Sequence, residues 1–175
     1  MPLTEVTIKF LEMTSPADLR AKRSALEGVT VQRVPQPMPE LNRFFYQAVG
    51  ANYGWFERLG WSLAEWREYV GQPGIETYVL AVKGIPAGYF ELLHHASGDI
   101  EIKYFGLIGS FIGRGLGAHM LTAATEAAWA AGAKRVILDT CSLDHPHAFE
   151  HYVARGFRLY RTDVVTKEVP AIPRN

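Results

Sequence analysis

The chain has 175 residues, 48% hydrophobic and 21% charged, a globular balance that excludes a disordered, collagen-like or coiled-coil main state. Eighteen Lys and Arg residues offset 18 Asp and Glu residues. The basic excess by which sequence-independent nucleic-acid binders neutralise phosphate is absent, so no nucleic-acid partner is expected. One cysteine, Cys141, cannot form an internal disulfide, which fits a reducing, cytoplasmic setting. MPLTEVTIKF has no basic stretch followed by an apolar one, and no apolar run is long enough to cross a bilayer; neither a leader nor a membrane partner is expected. The length suits one domain over residues 1–175.

In chain order, Val6 to Leu11 reads as a strand. Pro35, Pro37 and Pro39 form a short rigid connection, followed by a helix over Glu40 to Val49. A second helix spans Leu63 to Val70, with Ser62 as N-cap and Glu65 completing a capping box. IETYVLAVK and AGYFELL flank Gly84-Ile85-Pro86 as a hairpin, and IEIKYFGLI follows the Ser97-Gly98-Asp99 turn, giving a consecutive antiparallel meander. From Leu116 the apolar period becomes helical, through Met120, Leu121, Ala124 and Ala128, and Gly132 closes the helix. KRVILDTC is a short apolar strand, Asp144 to Arg155 a fourth helix closed by Gly156, and FRLYRTDVVTKEV the last β-rich run. A strand, a crossover helix and a second strand make a βαβ unit, parallel and right-handed. The fold class is therefore mixed α/β (α+β).

Between strand and helix lies FIGRGLGAHM, with Gly113, Gly115 and Gly117. Glycines let backbone approach a ligand, and the first amides of a helix have no internal partners. Together with the helix dipole they form an anion cradle, to which Arg114 adds a charge-assisted contact. A tight turn accounts for the same glycines. No Gly-Lys-Ser/Thr follows, so the segment is not a P-loop, and its spacing and meander setting do not suit a dinucleotide fold.

These residues resemble the GNAT superfamily of acyl-CoA N-acyltransferases over roughly residues 75–160. The family's Gln/Arg-x-x-Gly-x-Gly/Ala motif is matched by Ile112-Gly113-Arg114-Gly115-Leu116-Gly117, with Ile112 the departure. Its Asn-x-x-Ala-x-x-x-Tyr-x-x-x-Gly-Phe signature is matched by His145, Ala148, Tyr152, Gly156 and Phe157, with His145 in place of Asn. The resemblance implies helices on both faces of the sheet and a splayed parallel strand pair. It implies acetyl-CoA or another acyl-CoA as cosubstrate. The pyrophosphate would lie on amides from Gly113 to Ala118, and the pantetheine along Phe105, Leu107 and Ile108.

The implied reaction is direct attack of an amine on the thioester in a ternary complex, which benefits from a general base and a general acid. Tyr152 occupies the family's acid position; the alternative is a structural phenol. Glu101, eleven positions before Ile112, and Glu91 on the neighbouring strand are the base candidates, a surface carboxylate being the competing reading of Glu91. Glu101 shares strand parity with Lys103, so a solvated face is its competing reading. Gly106 fits either a bulge or close approach, or a packing requirement. His94, His95, His145 and His147 lack further ligands at consistent spacing, so no metal is expected. Cys141 reads as a packed, inert thiol. The alternative to an enzyme is a non-catalytic acyl-CoA-binding sensor.

Nine aromatics crowd Phe44 to Tyr69. Tyr53, Trp55 and Phe56, in a loop beside glycines, are the candidate acceptor wall, suited to an apolar, aromatic or cationic amine. Trp66 and Tyr69 read as packing, and Glu57 and Arg58 as solvated charges. The resemblance implies a small-molecule or protein amine as acceptor. The last β-rich run could pair between subunits, giving a homodimer.

Overall fold

The computed structural model describes residues 2–51 and 53–170. The strands are β1 (Leu3–Met13), β2 (Val29–Arg33), β3 (Ile75–Val82), β4 (Ile85–His94), β5 (Asp99–Leu107), β6 (Arg135–Cys141) and β7 (Arg158–Glu168). The α-helices are α1 (Pro39–Gly50), α2 (Leu63–Val70), α3 (Leu116–Ala130) and α4 (Ala148–Ala154). The strands form a single sheet in the order β2-β3-β4-β5-β6-β1-β7. All neighbours are antiparallel except β5 and β6.

The expected meander is β3-β4-β5, and the βαβ unit is β5-α3-β6. Strand β2, absent from the sequence reading, adds to the outer edge of β3, with Val29 opposite Val82. Its VTVQR is too short to announce itself; the edge of β3 supplies its backbone partners. Strand β1 enters between β6 and β7, pairing Ile8 with Cys141 on one side and Lys9 with Thr162 on the other. The last strand thus pairs within its own chain.

Helix α2 has its expected bounds and capping box: Ser62 Oγ accepts from Glu65 N, and Glu65 Oε2 accepts from Ser62 N. Helix α4 is shorter than the expected Asp144 to Arg155. Asp144 turns its carboxylate back, Oδ2 accepting from Thr140 Oγ1 at 2.7 Å and Cys141 N at 2.9 Å. His145 precedes Pro146, whose ring disfavours helical angles in the residue before it.

Alternation along β4 divides the core between the two faces. Phe90 and Leu92 point to α3, joining Leu116, Met120, Leu121 and Ala124 in one cluster. Tyr89 points the other way, stacking on Phe45 of α1 at 5.0 Å between ring centroids. Tyr46, Trp66 and Val70 continue that second layer between α1 and α2. Burying each such side chain stabilises the fold by about 1.5–3 kcal/mol.

Candidate active site

β5 and β6 pair only where Asp99, Ile100 and Glu101 meet Arg135, Val136 and Ile137, and then they part. A bulge bends β5 away: Tyr89 pairs with Gly106 and Glu91 with Lys103, so β5 carries an extra residue, and Tyr104 adopts φ +49°. The other edge of β6 is held by β1. At the closed end Arg135 grips Asp99, Nη2 to Oδ2 at 2.6 Å, and reaches Glu12 Oε2 at 2.9 Å. The gap beyond opens into a cavity of about 580 Å³.

One half of the cavity is glycine loop and α4. Gly113 and Gly115 have φ of +80° and +73°, a region that costs other residues strain. A Cβ at either would meet nothing within 4 Å. Glycine is required there by backbone angle, and the space beside it is free for a ligand. Gly115 is the N-cap of α3 and offers no side chain to the helix amides. Those amides therefore face the opening as donors.

Of the expected cofactor residues, Phe105, Leu107, Ile112, Gly113, Gly115, Gly117, Ala118 and His145 line the cavity. Three do not. Leu116 is fully buried in the α3 core. Ile108 packs against Phe45, Val49 and Tyr89, and its amide donates to Ala87 O at 2.8 Å. Arg114 is exposed, its guanidinium 5.2 Å from the Phe111 ring centroid.

Tyr152 lines the cavity from α4, 8% exposed, with its ring edge-on to Phe105 at 6.1 Å between centroids. Burial pushes its phenol well above the ordinary value, and the nearby Asp144 and Asp139 push the same way. The phenol therefore keeps its proton at any moderate pH.

The opposite half holds Tyr53, Trp55 and Phe56, together with Tyr46, Tyr104 and Glu57. Tyr53 stands 6.3 Å from His145, between ring centroids. Gly106 is decided by packing: a Cβ there would overlap Val49 Cγ1, whereas the bulge falls at Tyr104.

Neither base candidate lines the cavity. Glu91 is fully buried between the sheet and the helices α1 and α2, accepting from Asn42 Nδ2 at 2.8 Å and Tyr69 Oη at 2.6 Å. Burial raises its pKa, opposed by those hydrogen bonds and by Arg58. Glu101 is tied to His95 Nε2 at 2.8 Å and Lys103 Nζ at 3.2 Å. Arg58, expected to be solvated, is buried, its guanidinium 3.8 Å from the Tyr69 ring centroid and 4.2 Å from that of Tyr104.

The carboxylates that do line the cavity are Glu57, Asp139 and Asp144. Asp139 ends the apolar run Val136-Ile137-Leu138 as the one acidic residue of β6, and that is the signal the sequence offers. Cys141 also lines the cavity; burial pushes its thiol up to about 11. Among the described residues no three His, Cys, Asp or Glu side chains group as a metal site, and no helix is long and apolar enough to cross a membrane.

The family model for acetyltransferase (GNAT) matches residues 37–157. No curated protein matches significantly in sequence. Among solved structures, a GCN5-related N-acetyltransferase from Sphaerobacter thermophilus superposes with a TM-score of 0.72 at 18% identity, over 95% of this chain and 53% of that one. A GCN5-related N-acetyltransferase from Kribbella flavida gives 0.66 at 20% identity, over 94% and 58%. A functionally unknown conserved protein from Staphylococcus epidermidis gives 0.67 at 19% identity, over 96% and 64%. At these identities the likeness is one of fold. The chain spans between 53% and 64% of the length of these three structures.

Proposed function

We propose that this chain, which belongs to the acetyltransferase (GNAT) family, moves an acetyl or other acyl group from its CoA thioester directly to an amine. The supporting observation is the continuity of one cavity, from the open amides at the start of α3, through the splay of β5 and β6, to the Tyr152 side chain.

The residues present suit an acyl-CoA. Amides from Gly113 to Ala118 would donate to its pyrophosphate, so an anionic ligand needs no basic patch. The free edge of β5 around Phe105 and Leu107 would pair with the amides of its arm. When bound, the molecule supplies a thioester as electrophile. Tyr152 Oη holds the proton that the departing sulfur requires. The aromatic wall of Tyr53, Trp55 and Phe56 excludes water and holds the body of the acceptor. The single free Cys141 supports a cytoplasmic setting.

The test is release of free thiol from acetyl-CoA across a panel of amines. Turnover that needs both amine and acetyl-CoA is expected. Acetyl-CoA binding without thiol release on any amine would overturn catalysis and leave a CoA-binding sensor.

A further inference from the structure

The half of the cavity facing α1 and α2 has a charge pattern of its own. Glu57 there is paired with Lys167 at 3.0 Å, and Lys103 with Glu101 at 3.2 Å. Asp144 is occupied by Thr140 and the Cys141 amide. Asp139 has no hydrogen-bonded partner among the described residues; only desolvation and longer-range charges act on it. Its neighbours Leu138 and Thr140 are buried on the opposite side of β6, so Asp139 projects toward the aromatic half. It is exposed by area and lines the cavity. Lined also by Tyr53, Trp55, Phe56 and Tyr104, the subsite is anionic with ring walls, a setting that attracts a cation.

The geometry points to Asp139 as the catalytic residue that receives the acceptor's ammonium group and takes its proton, and to a primary alkylammonium on an apolar or aromatic body as the acceptor class. The inference rests on the acyl-transfer reading above. The ammonium gives one proton to the Asp139 carboxylate. The freed nitrogen lone pair forms the C–N bond at the thioester carbonyl carbon. The C–S bond breaks with its electron pair on sulfur, which takes the Tyr152 proton. The nitrogen sheds a second proton, which restores Tyr152, and Asp139 returns its own to solvent. Burial raises the Asp139 pKa, Glu101 and Asp144 adding to the rise while Lys103 and Lys167 oppose it. Such a carboxylate is a stronger base than an ordinary one. Tyr152 lines the same cavity, and the Asp139 charge adds to the rise of its pKa.

The experiment compares the full chain with Asp139→Asn and Asp139→Glu. Thiol release is measured with alkylamines on apolar or aromatic bodies, with arylamines already neutral at assay pH, and with amines that also carry a carboxylate. Asp139→Asn should lower kcat/KM for the alkylamines by about 100-fold. It should lower it far less for the arylamines, leave acetyl-CoA binding unchanged, and not lower the thermal midpoint, since the neutral amide lacks the cost of a buried charge. The acid limb of the wild-type pH profile should vanish in Asp139→Asn and persist in Asp139→Glu. Alkylamine turnover unchanged by Asp139→Asn, or an equal loss with arylamines, overturns the role of Asp139 and leaves acyl transfer standing. Preference for the carboxylate-bearing amines overturns the acceptor class. No thiol release with any amine overturns the acyl-transfer reading itself.

Discussion

The Tyr69 hydroxyl donates to Glu91 Oε2 at 2.6 Å, joining α2 to the central strand β4. Asn42 of α1 supplies the donor to the other oxygen at 2.8 Å. One carboxylate thus pins both helices that frame the aromatic half of the cavity. Tyr69→Phe removes a donor from a fully buried acceptor, which costs about 1–3 kcal/mol. Chemical denaturation should show that loss as a lower midpoint at constant m-value. An unshifted midpoint would mean that the carboxylate does not depend on Tyr69.

The same carboxylate makes stability depend on pH. Burial holds its folded pKa above the ordinary glutamate value. Its contribution is full below the unfolded pKa and is lost as pH rises through the folded one. Glu91→Gln should remove that part of the decline. Wild type and variant are compared by thermal midpoint from acid to neutral pH; parallel curves would count against it.

Gly106 and Val49 meet too closely for a side chain between them. Gly106→Ala should destabilise by about 1–3 kcal/mol through overpacking. Val49→Ala in the same chain should recover part of the loss, because the two changes share one space. Additive effects in a double-mutant cycle would refute the contact.

At Gly115 the obstacle is backbone angle rather than space. Gly115→Ala should leave the fold intact but strain the loop by about 1–2 kcal/mol. The loop then relaxes when empty, and KM for acetyl-CoA rises roughly 5- to 30-fold. A rise of that size with little change in kcat is expected from steady-state kinetics; an unchanged KM would exclude the loop from binding.

Tyr152→Phe keeps the ring contacts with Phe105 and Phe157 but removes the proton. A loss in kcat of about 100-fold or more is expected, with acetyl-CoA affinity preserved in calorimetry. A kcat within a few-fold of wild type would reduce Tyr152 to a packing residue.

Local signals determined much of this molecule. The capping box at Ser62, the 3.6-residue period after Leu116, the hairpin around Gly84 and the glycines before α3 depend on neighbours a few residues away, so they can be read along the chain. The GNAT resemblance follows from the same local motifs. Sequence parity also placed Glu101 and Lys103 on one face, where they pair at 3.2 Å. Partnerships across long separations could be decided only by folding. β1 lies between two strands that come more than a hundred residues later, and β2 completes the edge of β3. Glu91 looks like a surface carboxylate until Asn42 and Tyr69 close over it, and Arg58 looks solvated until four aromatic rings surround it. Asp139 gains its position from the parting of β5 and β6, a consequence of the bulge at Tyr104 and of β1 holding the far edge of β6. Local angle and period are written in adjacent residues. Which charge meets the cavity depends on packing between distant ones.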